Sequence, residues 1–110
     1  MSLYASNVRT VEFLEVGAKE VVRIKHPPGS RSLKHNHGKS YGFTVVLSGE
    51  VYEICYDLGG ALVEVIYRAG EWFMETPNTI HVVGSVNGAV TLHFYSPPIT
   101  GTMTTYDKDE

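Results

Sequence analysis

Short stretches of the chain alternate between hydrophobic and polar residues with a period of two. Side chains that alternate in this way point to opposite faces of a β-strand, so the pattern predicts strands with one buried face. The stretches are rich in Val, Ile, Tyr, Phe and Thr, which favour strands. No apolar set recurs at the spacing of an amphipathic helix over three turns. The predicted strands are 8–16, 20–26, 32–37, 43–47, 51–57, 61–68, 79–83 and 89–95.

Glycine and proline interrupt this pattern at intervals of about ten residues, as in Pro27-Pro28-Gly29, Gly59-Gly60 and Asn87-Gly88. Many short strands separated by turns predict an all-β fold, a sandwich or a small jelly-roll barrel, with little or no helix. A chain of 110 residues can build one hydrophobic core. We therefore predict a single domain over 1–110, with the barrel at about 8–98 and a loosely held polar tail at 101–110.

The composition restricts the classes of binding partner and the cellular compartment that we expect for the protein. The net charge is −3, and no basic run is longer than two residues, which argues against nucleic acid or an anionic membrane as a partner. No apolar stretch has the length of a membrane span, and the first residues do not have the pattern of a signal peptide. The single cysteine, Cys55, excludes an intrachain disulfide and fits a reducing compartment. We expect a cytoplasmic protein.

His35 and His37, which are separated by one residue, are the first candidates for functional side chains. On a strand the two imidazoles share one face with Leu33, whose apolar side chain suggests that this face is the inner one. Two buried imidazoles need partners for their ring nitrogens, and a metal ion uses one nitrogen from each. The spacing alone fits an exposed pair at the mouth of a loop equally well.

The surrounding residues resemble two motifs of the cupin family. Gly29, His35, His37 and Gly49 resemble the first motif, in which a glycine precedes a His-x-His pair and another glycine ends the hairpin. The segment Pro77-Asn78-Thr79-Ile80-His81 resembles the second motif, which supplies a further histidine. The resemblance implies a cupin barrel with one metal ion on His35, His37 and His81.

Most cupins carry a glutamate ligand at the place that Gly42 holds here, and no carboxylate lies between His37 and Gly49. Glu75 could reach a metal as a carboxylate ligand, which would give a different site, but we expect a surface position for it beside Pro77. The predicted ligand set is therefore neutral, which suits Fe(II) with a thiolate and dioxygen in the open positions. Zn, Ni or Mn are competing ions, since the ligand type does not separate these metals.

The last predicted strand carries Thr91, His93 and Tyr95 on one face. Without further context this polar face would be solvated. However, the run from Leu92 to Pro98 resembles the strand of cysteine dioxygenases that ends in His-x-Tyr-Ser-Pro-Pro. In that family a Ser-His-Tyr relay points into the barrel beside the iron. The resemblance implies a catalytic relay of Tyr95, His93 and Thr91, with Thr91 in the place of the serine.

Arg9 stands where cysteine-type thiol dioxygenases have an arginine that binds the substrate carboxylate. A guanidinium suits this task because it meets a carboxylate with two parallel hydrogen bonds. The resemblance implies a non-haem Fe(II) thiol dioxygenase that oxidises cysteine, or a close carboxylated analogue, with O2 to the sulfinate. Two alternatives stay open: a metal-binding cupin that serves as a sensor or ligand-binding module, and a cupin hydrolase or isomerase that uses another divalent metal.

The opposite face of the last strand carries Val90, Leu92 and Phe94. If the polar face points inward, these apolar side chains point outward and need cover, from which we predict a homodimer. Trp72-Phe73-Met74 and Cys55 are expected in the core, and His26 is expected either there or at the cavity wall.

Overall fold

A computed structural model provides the structure of the protein. It describes residues 9–17, 20–32, 34–36, 38, 40–56, 62–77, 79–97 and 104–105. These residues form ten β-strands and no helix, which confirms the predicted all-β fold. Within this part of the chain no helix has the length and apolar character to cross a membrane. The cytoplasmic location stays a prediction.

The ten strands are numbered in chain order. Their bounds are β1 Thr10–Val16, β2 Glu20–His26, β3 Ser30–Arg31, β4 His35–Asn36, β5 Tyr41–Tyr56, β6 Leu62–Arg68, β7 Trp72–Glu75, β8 Ile80–Ser85, β9 Ala89–Ser96 and β10 Thr104–Thr105.

Two antiparallel sheets share the long strand β5. Its first half pairs with β9 on one side and with β7 on the other, and β2 and β1 extend this first sheet beyond β9. Its second half pairs with β8 and β6, and β3, β4 and β10 complete the second sheet around β8. Because one continuous strand belongs to both sheets, the sheets curl around a common interior.

The bend in β5 occurs at Gly49, after a register shift between Val46 and Ser48. Gly49 has a φ of +73°, and a Cβ there would lie 2.1 Å from the carbonyl oxygen of Gly88. Only glycine fits both the backbone conformation and this close approach. The sequence predicted two separate strands at 43–47 and 51–57. That prediction is wrong at the junction, because the bulge and the bend keep the strand paired throughout.

Other differences concern short strands. Among the described residues of the predicted strand 32–37, only His35–Asn36 form a strand, β4. The short strand β3 precedes this range, and β10 lies within the predicted tail. Strand β7 was predicted only as core. Its alternation buries Phe73 but leaves Trp72 56% and Met74 59% exposed, so the core prediction is wrong for the two outward residues.

The interior has an apolar part next to the bend in β5. The buried side chains of this cluster are Val46, Val51, Phe73, Val83 and Ala89. Away from the bend the two halves of β5 carry polar inward-facing side chains instead, Thr44 on the first half and Glu53 on the second. The apolar cluster therefore lies at the bend of β5, and the polar side chains lie farther from the bend along both halves of the strand.

Strand β9 turns its polar face inward, as predicted. Thr91, His93 and Tyr95 are buried, whereas Phe94 is 37% exposed. On the outer face Phe94 lies 6.1 Å from the ring centroid of Phe43, which in turn lies 5.2 Å from that of Trp72. This face is apolar, but nothing in the structure shows what covers it, and the homodimer stays a prediction.

The close approach at Gly49 can be tested by replacement. We expect Gly49→Ala to lower the free energy of unfolding by about 2 kcal/mol or more, because the new methyl group meets the Gly88 backbone and the φ is unfavourable. Gly17→Ala is the control, since nothing lies within 4 Å of its added Cβ. Urea denaturation measures both, and equal stabilities would contradict the role of Gly49.

Candidate metal centre and the adjoining polar network

His81 is the centre of a buried group on the second sheet. It lies opposite His35 of β4 on one side and opposite Cys55 of β5 on the other. The Nε2 atoms of His35 and His81 are 3.1 Å apart, and their ring centroids are 4.5 Å apart. The sheet pairing thus places two of the three predicted metal ligands side by side. His37, the third, lies outside the described residues.

Two buried carboxylates adjoin His81. Its Nδ1 is 2.8 Å from Oε2 of Glu53, and its Nε2 is 3.8 Å from Oε1 of Glu75. Burial by itself would lower the pKa of His81, but the charges of Glu75 and Glu53 and the Glu53 hydrogen bond outweigh it and raise the pKa above its ordinary value.

The expected surface position of Glu75 is wrong, because the residue is only 3% exposed. Glu75 is two residues from the buried Phe73, so strand alternation directs both inward. It pairs with Gly42 across the sheet, and a Cβ on Gly42 would lie 3.0 Å from Oε1 of Glu75 and 2.9 Å from Cε1 of Tyr95. The room left by the glycine is occupied by the Glu75 carboxylate and the Tyr95 ring.

The predicted neutral ligand set did not include the two buried carboxylates that lie beside His81 in the structure. The search for a carboxylate covered only the interval from His37 to Gly49, whereas Glu53 and Glu75 lie beyond it and reach His81 when the strands pair. A signal for Glu53 was present in the sequence. It shares the inward face of β5 with Val51, as Glu75 shares that of β7 with Phe73.

The donor atoms fit a divalent metal ion. Glu53, Glu75 and His81 each offer one ligand atom, and these atoms all lie within 4.8 Å of one another. The 3.1 Å separation of the His35 and His81 nitrogens also fits, since two nitrogens at about 2.1 Å from one ion lie about 3 Å apart at a right angle. When Glu53 accepts the Nδ1 proton, Nε2 of His81 is the nitrogen that can bind metal.

A polar network joins β9 to this group. Oγ1 of Thr91 is 2.6 Å from Nε2 of His93, and Nδ1 of His93 is 3.1 Å from the Tyr95 hydroxyl and 2.9 Å from Oγ1 of Thr44. Thr44 in turn donates a long hydrogen bond of 3.4 Å to Oε2 of Glu75. The three residues predicted as a relay therefore contact one another, and Thr44, which the sequence did not indicate, connects them to Glu75.

His26 lies at the far end of this network. Its Nε2 is 2.8 Å from Oγ1 of Thr91. Burial, followed by the charges of Arg9 and His93, lowers the pKa of His26 to about 3, so the ring is neutral near pH 7. Of the two positions expected for His26, the core or the cavity wall, the structure shows a buried side chain bonded to the network.

Arg9 and Tyr95 complete the surroundings. Burial, and then the charge of Glu75, raise the pKa of Tyr95 well above its ordinary value, while the charge of Arg9 opposes them. Tyr95 is therefore a neutral phenol. Arg9 is partly buried, and its charge acts on His26 and His81 as well. The predicted role of Arg9 toward a substrate stays a prediction.

Cys55 is only half-buried. Burial and the neighbouring Glu53 raise the pKa of its thiol to about 11. The thiolate, which is the nucleophilic form, is thus disfavoured at neutral pH, in keeping with the non-catalytic role expected for this residue.

Several solved structures resemble this one. No protein-family model matches the sequence. An oxalate oxidase in complex with glycolate superimposes with a TM-score of 0.78 at 19% identity, over 92% of this chain and 56% of that chain. A Klebsiella pneumoniae protein with a double-stranded β-helix domain superimposes with a TM-score of 0.75 at 16% identity, over 94% of this chain and 89% of that chain. A deletion mutant of Bacillus subtilis oxalate decarboxylase superimposes with a TM-score of 0.70 at 15% identity, over 80% of this chain and 24% of that chain.

The protein has a cupin fold. Identities below 20% support the fold alone, and the chain spans only about half the length of the oxalate oxidase. None of these three structures is described as a thiol dioxygenase, so the similarity to cysteine dioxygenases stays a prediction. The cupin fold and the buried ligand group together are compatible with a metal-dependent cupin enzyme.

The ligand assignment predicts a graded loss of metal affinity. Glu53→Gln should weaken Zn2+ binding by about tenfold to a hundredfold by loosening the orientation of His81. Glu75→Gln, which removes a ligand charge, should weaken it at least as much. Glu64→Gln on the exposed face of β6 is the control. Isothermal titration calorimetry measures all three, and unchanged affinity in Glu75→Gln would contradict the site.

The low pKa of His26 predicts a specific acid sensitivity. Below pH 6.5 the unfolded chain takes up a proton on His26 that the folded chain refuses until about pH 3, so stability falls as the pH falls through this window. We expect an extra slope of at most about 1.4 kcal/mol per pH unit in the wild type relative to His26→Gln. Denaturant titrations between pH 7 and 4 measure it, and parallel curves would refute the neutral His26.

Proposed function

We propose that the protein is a metal-dependent cupin oxidoreductase, specifically a non-haem Fe(II) thiol dioxygenase that oxidises a small carboxylated thiol. In the overall reaction a thiol and one O2 give the sulfinic acid, in which sulfur has gained both oxygen atoms. Cysteine or a close analogue such as 3-mercaptopropionate is the proposed substrate class.

The observation that carries this proposal is the buried arrangement of Thr91, His93 and Tyr95 next to the ligand group. The Tyr95 ring and the Glu75 carboxylate both lie within about 3 Å of the same point above Gly42. A neutral phenol at this position can donate a hydrogen bond to a substrate or an oxygen species held beside it. The high pKa of Tyr95 supports this role, since the hydroxyl keeps its proton.

Arg9 supports a substrate with a carboxylate. Its positive charge acts on His26, His81 and Tyr95, which places it in electrostatic reach of both the ligand group and the polar network. A guanidinium there can orient a substrate carboxylate while the thiol faces the ligand group. The glycolate bound to the oxalate oxidase shows that this fold also accommodates a small carboxylate in another protein.

The proposed ligands are His35, His81 and Glu75, with Glu53 holding His81 in place and His37 a predicted ligand outside the described residues. A ferrous ion bound there would acidify a thiol and activate dioxygen, and the thiol sulfur, which gains both oxygen atoms, would be the net electron donor. The protein's own groups would orient the carboxylate through Arg9, donate a hydrogen bond through Tyr95 and keep the site dry by burial.

A second candidate follows from the carboxylates. A cupin hydrolase or isomerase that uses Zn, Ni or Mn would want a carboxylate beside the metal, and Glu53 and Glu75 supply two. They also decrease the net positive charge of a bound ion, which weakens the argument from a neutral ligand set. A sensor or ligand-binding cupin without catalysis is the outcome if no substrate is turned over.

Metal analysis combined with oxygen-electrode assays separates these candidates. We expect iron in the protein as purified or after reconstitution, and O2 uptake with cysteine or 3-mercaptopropionate that exceeds the uptake with cysteamine. Oxalate serves as a thiol-free carboxylate. Bound zinc together with no thiol-dependent uptake after iron reconstitution would exclude the dioxygenase and favour the second candidate.

Variants of Tyr95 and Arg9 test the assigned roles. Tyr95→Phe should lower kcat for thiol oxidation by about a hundredfold because it removes the hydroxyl donor, whereas Tyr41→Phe, at an exposed position, should not. Arg9→Ala should raise KM far more for cysteine than for cysteamine, and Arg68→Ala on exposed β6 is its control. Equal KM changes for both thiols would remove the carboxylate role of Arg9.

A further inference from the structure

Strand β6 is an edge of the second sheet, and most of its exposed side chains are apolar. Among the described strands it pairs only with β5. Four of its hydrophobic residues are between 40% and 61% exposed, namely Leu62, Val63, Val65 and Ile66. A strand edge presents unpaired N–H and C=O groups, and folded proteins usually protect such an edge from pairing with another chain.

The other edge strands that the structure describes have this protection. Strands β3 and β10 have two residues each and β7 has four, and a register shift between Phe13 and Glu15 interrupts β1. Strand β6 instead runs for seven residues without a register shift or a proline. A regular apolar edge of this length is a surface to which a further strand can be added.

The hydrogen bonds at the end of β6 show which of its backbone groups face the edge. The N–H of Ala69 donates to the carbonyl oxygen of Gly49 at 3.1 Å, in the register that pairs Glu50 with Arg68. Because hydrogen-bonded and non-hydrogen-bonded pairs alternate in an antiparallel ladder, the even-numbered residues of β6 turn their N–H and C=O groups away from β5. Arg68 agrees with this assignment, since its N–H donates to Oε1 of Glu71 at 2.6 Å and its carbonyl oxygen accepts from the Glu71 N–H at 2.8 Å.

The charges on the outer face of β6 are complementary to a second copy of the same strand. Glu64 and Arg68 are both exposed and lie two residues before and two residues after Ile66 on this face. An antiparallel β6 related by a two-fold axis at Ile66 places Glu64 opposite the partner's Arg68 and Arg68 opposite the partner's Glu64. A two-fold axis at Glu64 would instead bring two like charges together, and one at Val65 would leave Glu64 opposite the partner's Ile66.

The same register also suits the backbone. Ile66 and the partner's Ile66 exchange their N–H and C=O hydrogen bonds, because both residues turn these groups toward the edge. The N–H of Glu64 reaches the carbonyl oxygen of the partner's Arg68, which can accept a second hydrogen bond beside that from Glu71. On the inner face Val65 stands opposite the partner's Tyr67, a pair of a β-branched and an aromatic side chain that is favourable across strands.

From these observations we propose that β6 is the interface of a homodimer, in which the second sheets of two copies join through antiparallel β6 strands about a two-fold axis at Ile66. The partner is a second copy of this chain because the edge carries opposite charges at equal spacing on either side of Ile66. This interface is distinct from the apolar outer face of β9, from which the sequence predicted a homodimer. It is independent of the proposed function, because the side chains of Glu64 and Arg68 lie on the outer face, away from the ligand group.

Substitutions of the charged pair test both the partner and the register. In sedimentation equilibrium we expect the wild type to have twice the monomer mass of 12.2 kDa. Glu64→Arg and Arg68→Glu each bring like charges together across the axis and should raise the dissociation constant of the dimer about tenfold, whereas the double variant should restore it. A wild type that stays monomeric at the highest soluble concentration overturns the proposal, as does a double variant that dimerises no better than the single ones.

A proline at Ile66 tests the backbone contact. Because the Ile66 N–H faces the partner, Ile66→Pro removes a donor between the subunits but none between β6 and β5, and it should give a monomer. Met74→Lys is the control on the exposed outer face of the first sheet and should leave the dimer intact. A dimer that is lost in Met74→Lys and kept in Ile66→Pro would place the interface on the first sheet and overturn the proposal.

Amide hydrogen exchange of the wild type tests the register without any substitution, and it decides even if Ile66→Pro does not fold. The amides of Glu64 and Ile66 should become protected as the protein concentration rises, because only the partner supplies their acceptors. The amide of Val65, which donates to β5, should be protected at every concentration and is the internal control. Fast exchange at Ile66 in a dimeric sample would refute the β6 interface.

Discussion

The continuous strand β5 is the constraint on which the rest of the structure depends. One backbone must pair with β7 and β9 in the first sheet and with β6 and β8 in the second, so it has to bend between them without losing its hydrogen bonds. Gly49 makes the bend possible because its φ is positive and its Cα faces the Gly88 carbonyl closely. The two halves of β5 extend away from the apolar cluster at the bend. Each half directs one polar side chain toward the interior, Thr44 from the first half and Glu53 from the second.

Alternation predicted most of the strands but not how they connect. Strand β2 has the predicted bounds because its buried positions alternate with charged Arg23 and Lys25 over its second half. Strand β5 was predicted as two strands because Gly49 is typical of a turn, and a bend within a paired strand leaves the same local pattern. Strand β7 was obscured because its outward residues, Trp72 and Met74, are as apolar as its inward Phe73. Local sequence does not distinguish these cases, since pairing partners decide them.

The sequence predicted the parts of the candidate site that lie within recognisable motifs. It did not predict the contacts that form only when distant strands pair. The His35–His81 contact and the inward face of Thr91 agree with the motifs that predicted them. Glu75 was considered as a ligand but expected at the surface. The interval in which cupins usually carry a carboxylate contains Gly42 here, and the carboxylate instead comes from the paired position on β7. A residue across a strand pair can fill the space of a missing side chain, and sequence spacing carries no information about that exchange.

The buried charges also bear on how the site would respond to a metal ion. In the metal-free protein, Glu53 and Glu75 raise the pKa of His81 and so favour its protonated form, in which one positive charge balances part of two negative ones. A divalent ion that binds Nε2 displaces a proton from His81 and adds one net positive charge. The same carboxylates that stabilise the proton therefore favour its replacement by a doubly charged ion, and that replacement becomes easier as the pH rises. Burial strengthens this preference because two carboxylates out of water need more compensation than a single imidazolium provides.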